Sequence, residues 1–493
     1  MTTTVELLER AVWGRLDGLP FAVIGLGKSG VAAANALRSR GADVIAWDDA
    51  PAERLSASLE ALTPGVLARC GEQYIARPGE IAVISPGIGP TSSAWKRIHA
   101  SALAVIGEIE LFYRLDRFSN GQLGHPILAV TGTDGKTTTV SLLAEICRAA
   151  GLEVALAGNI GDPLCGLVDR LPQGAVVVAE VSAFQLITAP MFRPRVAVIT
   201  NIAEDHVDYF GGDFEAYAEA KLKLARPCLP GDTFIYNGAD ERLVSFAAQL
   251  QSGCALVPFS ARRVLERGAL RRDDELLWLD GDSQVVFASV NELGQDGGRP
   301  WGGVHNHDNA LAASMAALAF GLRPEHIRLG LRRYATPPHR CEPAGHIGDV
   351  RFINDSKATN PHAALAGVRG TELRAGERLV WIGGGSEKQS DFSDLAREVG
   401  QRADVAVVCG ATAARIASAF DEVGASCEVL ETADLHSAIA LAWQHAQPLG
   451  CVLFSPACAS FDSFKSYAHR GEAFKEAVAR LGVAVGPKLT DQG

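Results

Sequence analysis

The feature that most restricts how this chain can fold is Ile127-Leu-Ala-Val-Thr-Gly-Thr-Asp-Gly-Lys-Thr-Thr-Thr139, a short run of β-formers ending in a glycine loop. Val140-Ser-Leu-Leu-Ala-Glu-Ile-Cys147 comes next with apolar residues at helical spacing, so the segment reads as strand, loop and helix. In such a loop, backbone N–H groups and the positive end of the helix face phosphate oxygens. Lys136 adds a mobile cation and the Thr137 hydroxyl can bind Mg²⁺. Val130 stands where the usual Gly-x-x-x-x-Gly-Lys-Ser/Thr pattern has its first glycine, which makes this a variant of that motif. The plainer reading is a simple glycine turn between a strand and a helix; the lysine and hydroxyls favour a nucleoside triphosphate.

A chain of 493 residues exceeds what one hydrophobic core supports, which predicts about three domains. With 51 glycines scattered between apolar runs and 21% charged residues, the composition is that of an α/β protein. A net charge of −11 argues against nucleic acid as a partner and leaves local basic clefts for anionic substrates open. The 10 cysteines form no Cys-x-x-Cys pair and read as reduced thiols, with Cys147 and Cys409 as core fillers. Residues 1–16 lack a signal-peptide pattern, and no stretch reaches the ~18 uninterrupted apolar residues of a membrane span. A cytoplasmic protein without membrane insertion is expected, and the alanine-rich segment 310–322 reads as a buried helix.

Phe21-Ala-Val-Ile-Gly-Leu-Gly-Lys-Ser-Gly30 opens a first βαβ unit, with a helix expected from Val31 and a second strand at 43–47 ending at Asp48. An acidic residue at that distance suits a ribose, as in a nicotinamide cofactor; the pyrophosphate of a nucleotide sugar would satisfy the turn equally. Ile81-Ala-Val-Ile-Ser-Pro-Gly-Ile-Gly89 repeats the strand and glycine loop, so Ser85 and Gly87 are expected on the same sheet edge as Ser29 and Gly30. Central strands are readable at 127–130, 175–181 and 196–199, and further buried-type strands at 350–353, 378–382, 405–409 and 451–454. Thr336-Pro-Pro338 reads as a linker. The expectation is three mostly parallel sheets with flanking helices, in domains at 1–110, 111–335 and 336–493.

Magnesium needs oxygen ligands from strand ends beside the loop. Glu180 ends one such strand, and Glu204, Asp205 and His206 lie just past another. Each is otherwise read as a solvated loop charge. Asn306 and Asn309, three apart, share a helix face suited to an adenine edge, or serve as simple caps. His305 and His307 do not converge as a metal pair at that spacing.

Thr131-Gly-Thr-Asp-Gly-Lys-Thr-Thr138, Gly158-Asn-Ile-Gly161, Glu180-Val-Ser-Ala-Phe-Gln-Leu186, Asn201-Ile-Ala-Glu-Asp-His206, His305-Asn-x-x-Asn309, His339-Arg340, Asn354-Asp-Ser-Lys-Ala-Thr-Asn360 and Ser455-Pro-Ala-Cys-Ala-Ser460 occur in the order seen in the Mur ligases, and the chain resembles that family over all three expected domains. The last two segments resemble its glutamate-adding branch. The resemblance implies an ATP-dependent amide ligase that joins glutamate, most simply D-glutamate, to UDP-N-acetylmuramoyl-L-alanine through an acyl phosphate, acting as a monomer in cell-wall precursor synthesis.

By matching positions, the resemblance implies catalytic roles for Lys136, Glu180, His206 and Lys221, with Mg²⁺ at two sites held by Thr137, Glu180, His206 and a carbamylated Lys221. Lys223 next door competes for that last assignment. ATP would meet Gly132, Thr133, Gly135, Lys136, Thr137 and Thr138, with Asn306 and Asn309 at adenine and Arg340 and Asp355 reaching in from the third domain. The UDP substrate would lie on Ser29, Gly30, Asp48, Ser85 and Gly87, with Asn159 near the acyl group. Glutamate would meet Lys357, Thr359, Lys388 and Ser460.

Three departures from the family pattern stand out. Asp134 replaces the usual asparagine of the loop, Gly383-Gly-Gly-Ser-Glu-Lys388 has an unusual context, and Tyr467 stands where phenylalanine is expected. The sequence leaves the chirality of glutamate open. Rival readings are a folylpolyglutamate-synthase-like ligase, a non-catalytic nucleotide-binding homologue and a nicotinamide oxidoreductase.

Overall fold

The computed structural model describes residues 13, 16–117, 124–205, 207–297, 301–386 and 390–485. The chain forms two compact units, one of residues 1–293 and 305–334, the other of residues 294–304 and 335–493. The apolar runs become buried strands of three sheets.

The first sheet holds five parallel strands in the order Leu67–Cys70, Asp43–Asp48, Pro20–Ile24, Ile81–Ile84, Ala104–Gly107. The chain reverses direction across the sheet between Pro20–Ile24 and Ile81–Ile84. Loops leaving these two strands therefore diverge and leave a crevice at their carboxyl ends. The helix Lys28–Ser39 begins earlier than the sequence pattern suggests, directly on the glycine turn.

The second sheet has nine strands. Ile127–Thr131 lies inside it, between Val176–Glu180 and Val196–Ile199, all parallel, with Val130 opposite Glu180 and Thr131 opposite Ile199. Strands so placed are apolar on both faces, which is why they read as continuous runs. At the far end, Gly268–Arg272, Glu275–Asp280 and Ser283–Ser289 form an antiparallel meander that the sequence did not suggest. The first two sheets share one apolar core, in which Phe21 and Phe112 join Ile127, Val177 and Phe192. Helix Lys136–Ala149 packs closely on Pro324–Arg333, where a Cβ on Gly330 would come within 2.5 Å of Ile146 Cα.

The second unit, by itself, holds a six-stranded sheet in which Leu449–Phe454 runs parallel between Asp349–Asn354 and Arg378–Gly384. Asn354 and Ile382 both pair with Phe454, so the loops after all three strands open on one edge. Among the described residues no helix is long and apolar enough to cross a membrane.

Candidate functional site

The phosphate loop is built by close approach. Gly132 and Gly135 have φ of +151° and +80°, and a Cβ on them would fall 1.9 Å from Thr200 Oγ1 and 2.2 Å from Asn309 Oδ1. Only glycine lets the neighbouring strand end and the asparagine helix Val304–Ala319 come this near. Asn201 Oδ1 accepts from the N–H groups of Thr133 and Asp134 at 3.1 and 2.9 Å, and Thr200 Oγ1 donates to the Asp134 carbonyl at 2.5 Å. The Thr133 hydroxyl donates to the Ala203 carbonyl and lies 3.1 Å from the Tyr217 hydroxyl. The loop is thus held in shape by its own protein neighbours.

Two lysines converge on it. Lys136 Nζ donates to the carbonyls of Gly132 and Thr133 at 2.8 and 2.7 Å, and Lys221 Nζ donates to the same Gly132 carbonyl at 2.7 Å. Lys221 comes from the helix Phe214–Leu222, whose first turn is capped by Asp213 accepting from the Ala216 N–H at 3.0 Å. It is 2% exposed, with its ammonium 4.5 Å from the Tyr217 ring centroid. Burial, and then the charge of Lys136, push its pKa down to about 7, against the opposing pull of Asp205 and Asp134. Asp134, the departure from the family loop, therefore acts on the buried lysine. Lys223, the rival assignment, instead donates to the Ile187 carbonyl at 3.0 Å.

Glu180, 2% exposed, accepts from Thr137 Oγ1 at 2.8 Å through one oxygen and from Asn159 Nδ2 at 2.7 Å through the other. A hydroxyl and a carboxylate in contact are hard oxygen donors of the kind magnesium takes, so the pair fits the metal chemically. Among the described residues no three His, Cys, Asp or Glu side chains cluster as a ready metal centre. His206 lies outside the described residues. Thr138 is buried in the first helical turn, Asn306 and Asn309 are buried on the facing helix, and Asn309 accepts from Thr139 Oγ1 at 3.2 Å.

In the first sheet, a Cβ on Gly30 would fall 1.8 Å from the Gly25 carbonyl, so the helix carrying Ser29 and Gly30 closes directly on the turn. Asp48 braces that turn, accepting from the Leu26 N–H at 2.7 Å and the Ala50 N–H at 2.9 Å. Asp48, Ser85 and Gly87 line one pocket of about 260 Å³ at the crevice, together with Trp47 and Tyr74. Ser29 and Gly30 are not on its wall, and Asn159 sits with Glu180.

In the second unit, Asp355 directly succeeds the strand Asp349–Asn354 and is buried. It accepts from Ser455 Oγ at 2.7 Å and from the Cys341 N–H at 3.2 Å. Burial raises its pKa to about 6, although these bonds and the charge of Arg340 work against the rise. Arg340 lies between two left-handed residues, His339 at φ +64° and Cys341 at +44°. Buried Arg470 donates to Ser356 Oγ, the Ser356 carbonyl and the Ala459 carbonyl at 3.0, 2.9 and 3.1 Å. It thereby ties the segment of Lys357 and Thr359 to that of Ser460. Lys388 lies outside the described residues.

Sequence reading passed over Thr200, Asn201, Tyr217 and Arg470. Asn201 opens a motif read only for Glu204, Asp205 and His206, while Arg470 looks like any helix arginine.

Comparison with known proteins places the whole chain. Residues 130–317 match the family model of the Mur ligase middle domain, and residues 339–458 that of the Mur ligase glutamate ligase domain. A UDP-N-acetylmuramoylalanine--D-glutamate ligase from Pelotomaculum thermopropionicum is 38% identical over 467 residues, covering 93% of this chain and 97% of the relative. The enzyme of the same name from Chlorobaculum parvum is 35% identical over 480 residues, covering 94% and 98%. Among solved structures, the MurF ligase from Thermotoga maritima in complex with ADP aligns with a TM-score of 0.55 at 15% identity, covering 97% of this chain and 100% of that one. A pseudomurein peptide ligase type C from Methanothermus fervidus also aligns with a TM-score of 0.55, at 18% identity over 94% and 100%. These two likenesses establish the fold. Near-complete coverage at more than a third identity, with two family models in order, establishes descent: the chain belongs to the Mur ligase family.

Proposed function

We propose that this chain is an ATP-dependent ligase that joins D-glutamate to UDP-N-acetylmuramoyl-L-alanine in peptidoglycan precursor synthesis. The names of its relatives support the substrates. The observation that carries the chemistry is the convergence of Lys136 and Lys221 on the Gly132 carbonyl beside the Thr137–Glu180 pair.

In this reading residues 1–110 hold the UDP substrate, 111–335 hold ATP, and 336–493 hold the amino acid. The substrate carboxylate attacks the γ-phosphorus of ATP and ADP leaves. The amine of glutamate then attacks the acyl phosphate, phosphate leaves, and an amide remains. Phosphoryl transfer asks the protein for position and charge more than for covalent help. Lys136 supplies mobile positive charge at the transferred group, and Asn159 orients the acyl end. Arg340 and Asp355 serve ATP, while Lys357, Thr359, Lys388 and Ser460 serve glutamate, whose two carboxylates suit two lysines.

Magnesium, when bound, neutralises phosphate charge; Thr137 and Glu180 would hold one ion, and His206 with a carbamylated Lys221 a second. A buried lysine with its pKa near 7 keeps a large neutral fraction, and the neutral amine is the form that adds CO₂. The carbamate would retain one N–H for the Gly132 carbonyl.

The test is phosphate release from ATP and Mg²⁺ with UDP-N-acetylmuramoyl-L-alanine and either enantiomer of glutamate. Release with D-glutamate alone is expected; release with neither overturns the reading.

A further inference from the structure

Arg470 lies in the first turn of the helix Tyr467–Val485 and is 2% exposed. Burial lowers its pKa to about 10, which leaves it a cation at neutral pH. A buried charge is costly unless it is paired. Its hydrogen-bond partners are nevertheless all neutral, the Ser356 hydroxyl and carbonyl and the Ala459 carbonyl. A methionine would fill much the same space without that desolvation, so what the guanidinium adds is its fork. The fork is planar and rigid. Nε and Nη2 reach the Ser356 segment and Nη1 reaches Ala459, so the guanidinium's own bond angles set the spacing between the two.

The joint is tight on its other sides as well. The Ser386 N–H donates to the same Ala459 carbonyl at 2.8 Å. Gly385, at φ +152°, comes so near that a Cβ on it would fall 2.3 Å from that carbonyl oxygen and 2.9 Å from Arg470 Nη1. Ser356 Oγ in turn donates to the Tyr467 carbonyl at 2.8 Å, at the start of the arginine's own helix. Neither segment can slide past the other without breaking these bonds.

Lys357 directly follows Ser356, Thr359 lies two residues further on, and Ser460 directly follows Ala459. Enantiomers carry the same groups and differ only in their arrangement about one carbon. A site tells them apart only when its contacts are fixed relative to one another, because contacts free to shift would re-form around the mirror image. We propose that Arg470 is the positioning residue on which discrimination between the enantiomers of glutamate depends: by locking Ser356 to Ala459 it fixes Lys357 and Thr359 against Ser460. This rests on the proposed glutamate-joining activity and adds the means by which one hand is chosen.

The experiment is steady-state kinetics of the full chain with D-glutamate as substrate and L-glutamate as competing inhibitor, for the wild type, Arg470→Lys and Ser356→Ala. Arg470→Lys keeps the charge and loses the fork. It should raise the KM for D-glutamate by ~10-fold and leave the inhibition constant of L-glutamate, and the KM of ATP and of the UDP substrate, within about twofold. The ratio of the L-glutamate inhibition constant to the D-glutamate KM then falls by ~10-fold. Ser356→Ala retains the arginine and removes one of its three bonds, so it should lower the same ratio by ~3-fold. A ratio unchanged in both variants overturns the proposal. So does a lower kcat with every KM unchanged, since a residue that only holds the domain together would cost folded enzyme and not selectivity. An equal weakening of both enantiomers overturns it too, because the arginine would then serve glutamate without regard to hand. Phosphate release by the wild type with D-glutamate, together with an insensitive ratio, sinks this inference alone. No release by the wild type with either enantiomer sinks the ligase reading, and this inference with it.

Discussion

Two strand-to-helix glycine loops of one unit face different tasks with different means. The loop of the first sheet is braced by a carboxylate, Asp48, on the N–H of Leu26 and on Ala50. That of the second is braced by neutral side chains, Asn201 and Thr200, and carries two ammonium groups on a single carbonyl. The contrast reflects the charge each is asked to meet. At the second loop a neutral amide does the bracing, so it adds no charge to that of Asp134 and Glu180, which lie beside the two lysines and the Thr137 hydroxyl. In the proposed complex the first sheet meets a UDP-linked substrate, whose hydroxyl and N–H donors a carboxylate can accept. A glycine loop alone says phosphate; the residue that braces it says which part of the nucleotide lies near.

The comparison can be broken most severely at Lys136. Lys136→Ala should lower kcat by ~10³-fold while UDP binding to the first sheet stays as it was, because the charge it removes acts at the transferred phosphoryl group. A parallel loss of UDP affinity would show that the two loops are not independent. Next in size is Lys221: Lys221→Arg should cost ~10²-fold, the scale of a metal-site partner. Wild-type enzyme stripped of CO₂ should lose activity and regain it with bicarbonate, and the arginine variant should not respond. Asn201→Ala removes the acceptor shared by two loop N–H groups and should raise the KM for ATP by ~10-fold, with no change in the KM for the UDP substrate. Asp48→Asn keeps one acceptor oxygen and removes the charge; it should raise the KM for the UDP substrate by about threefold to fivefold and leave ATP untouched.

Much of both loops was legible because parallel strands buried on two faces read as unbroken apolar runs, and because glycine, lysine and threonine at fixed offsets mark the turn into the helix. The parts that were not legible depend on direction. Lys221 lies in the last turn of the helix Phe214–Leu222 and Lys223 just past its end, so each turns to a different side; only the fold sends the first to the Gly132 carbonyl and the second to that of Ile187. Asn201 was visible as a letter in a motif, but its backbone bonds arise from Thr131 pairing opposite Ile199, a register between strands far apart in sequence. The antiparallel meander went unread because its strands, unlike the central ones, mix exposed and buried positions without a clean alternation.

The smallest effect on activity is expected where the two loops' sheets meet. Glu108 directly succeeds the last strand of the first sheet, and its carboxyl accepts from the Cys165 N–H, a few residues beyond Asn159; its other oxygen has no partner among the described residues. Burial raises its pKa from 4.5 to about 7, although the bonds from Cys165 oppose the rise. Between these values the unfolded chain has released the proton and the folded chain still holds it. The unfolded state then binds fewer protons, so stability must fall as pH rises from 4.5 to about 7 and level off above. Glu108→Gln keeps an acceptor for the Cys165 N–H and cannot ionise. Denaturant midpoints of the two proteins should therefore diverge between about pH 5 and about pH 8, the variant gaining ~1–3 kcal/mol on the wild type across the window. Other buried carboxyls, Asp355 among them, slope the same way in both proteins and cancel in the difference. Parallel midpoints would mean that Glu108 is ionised in the fold; steady-state rates should be nearly equal, because the group touches neither loop.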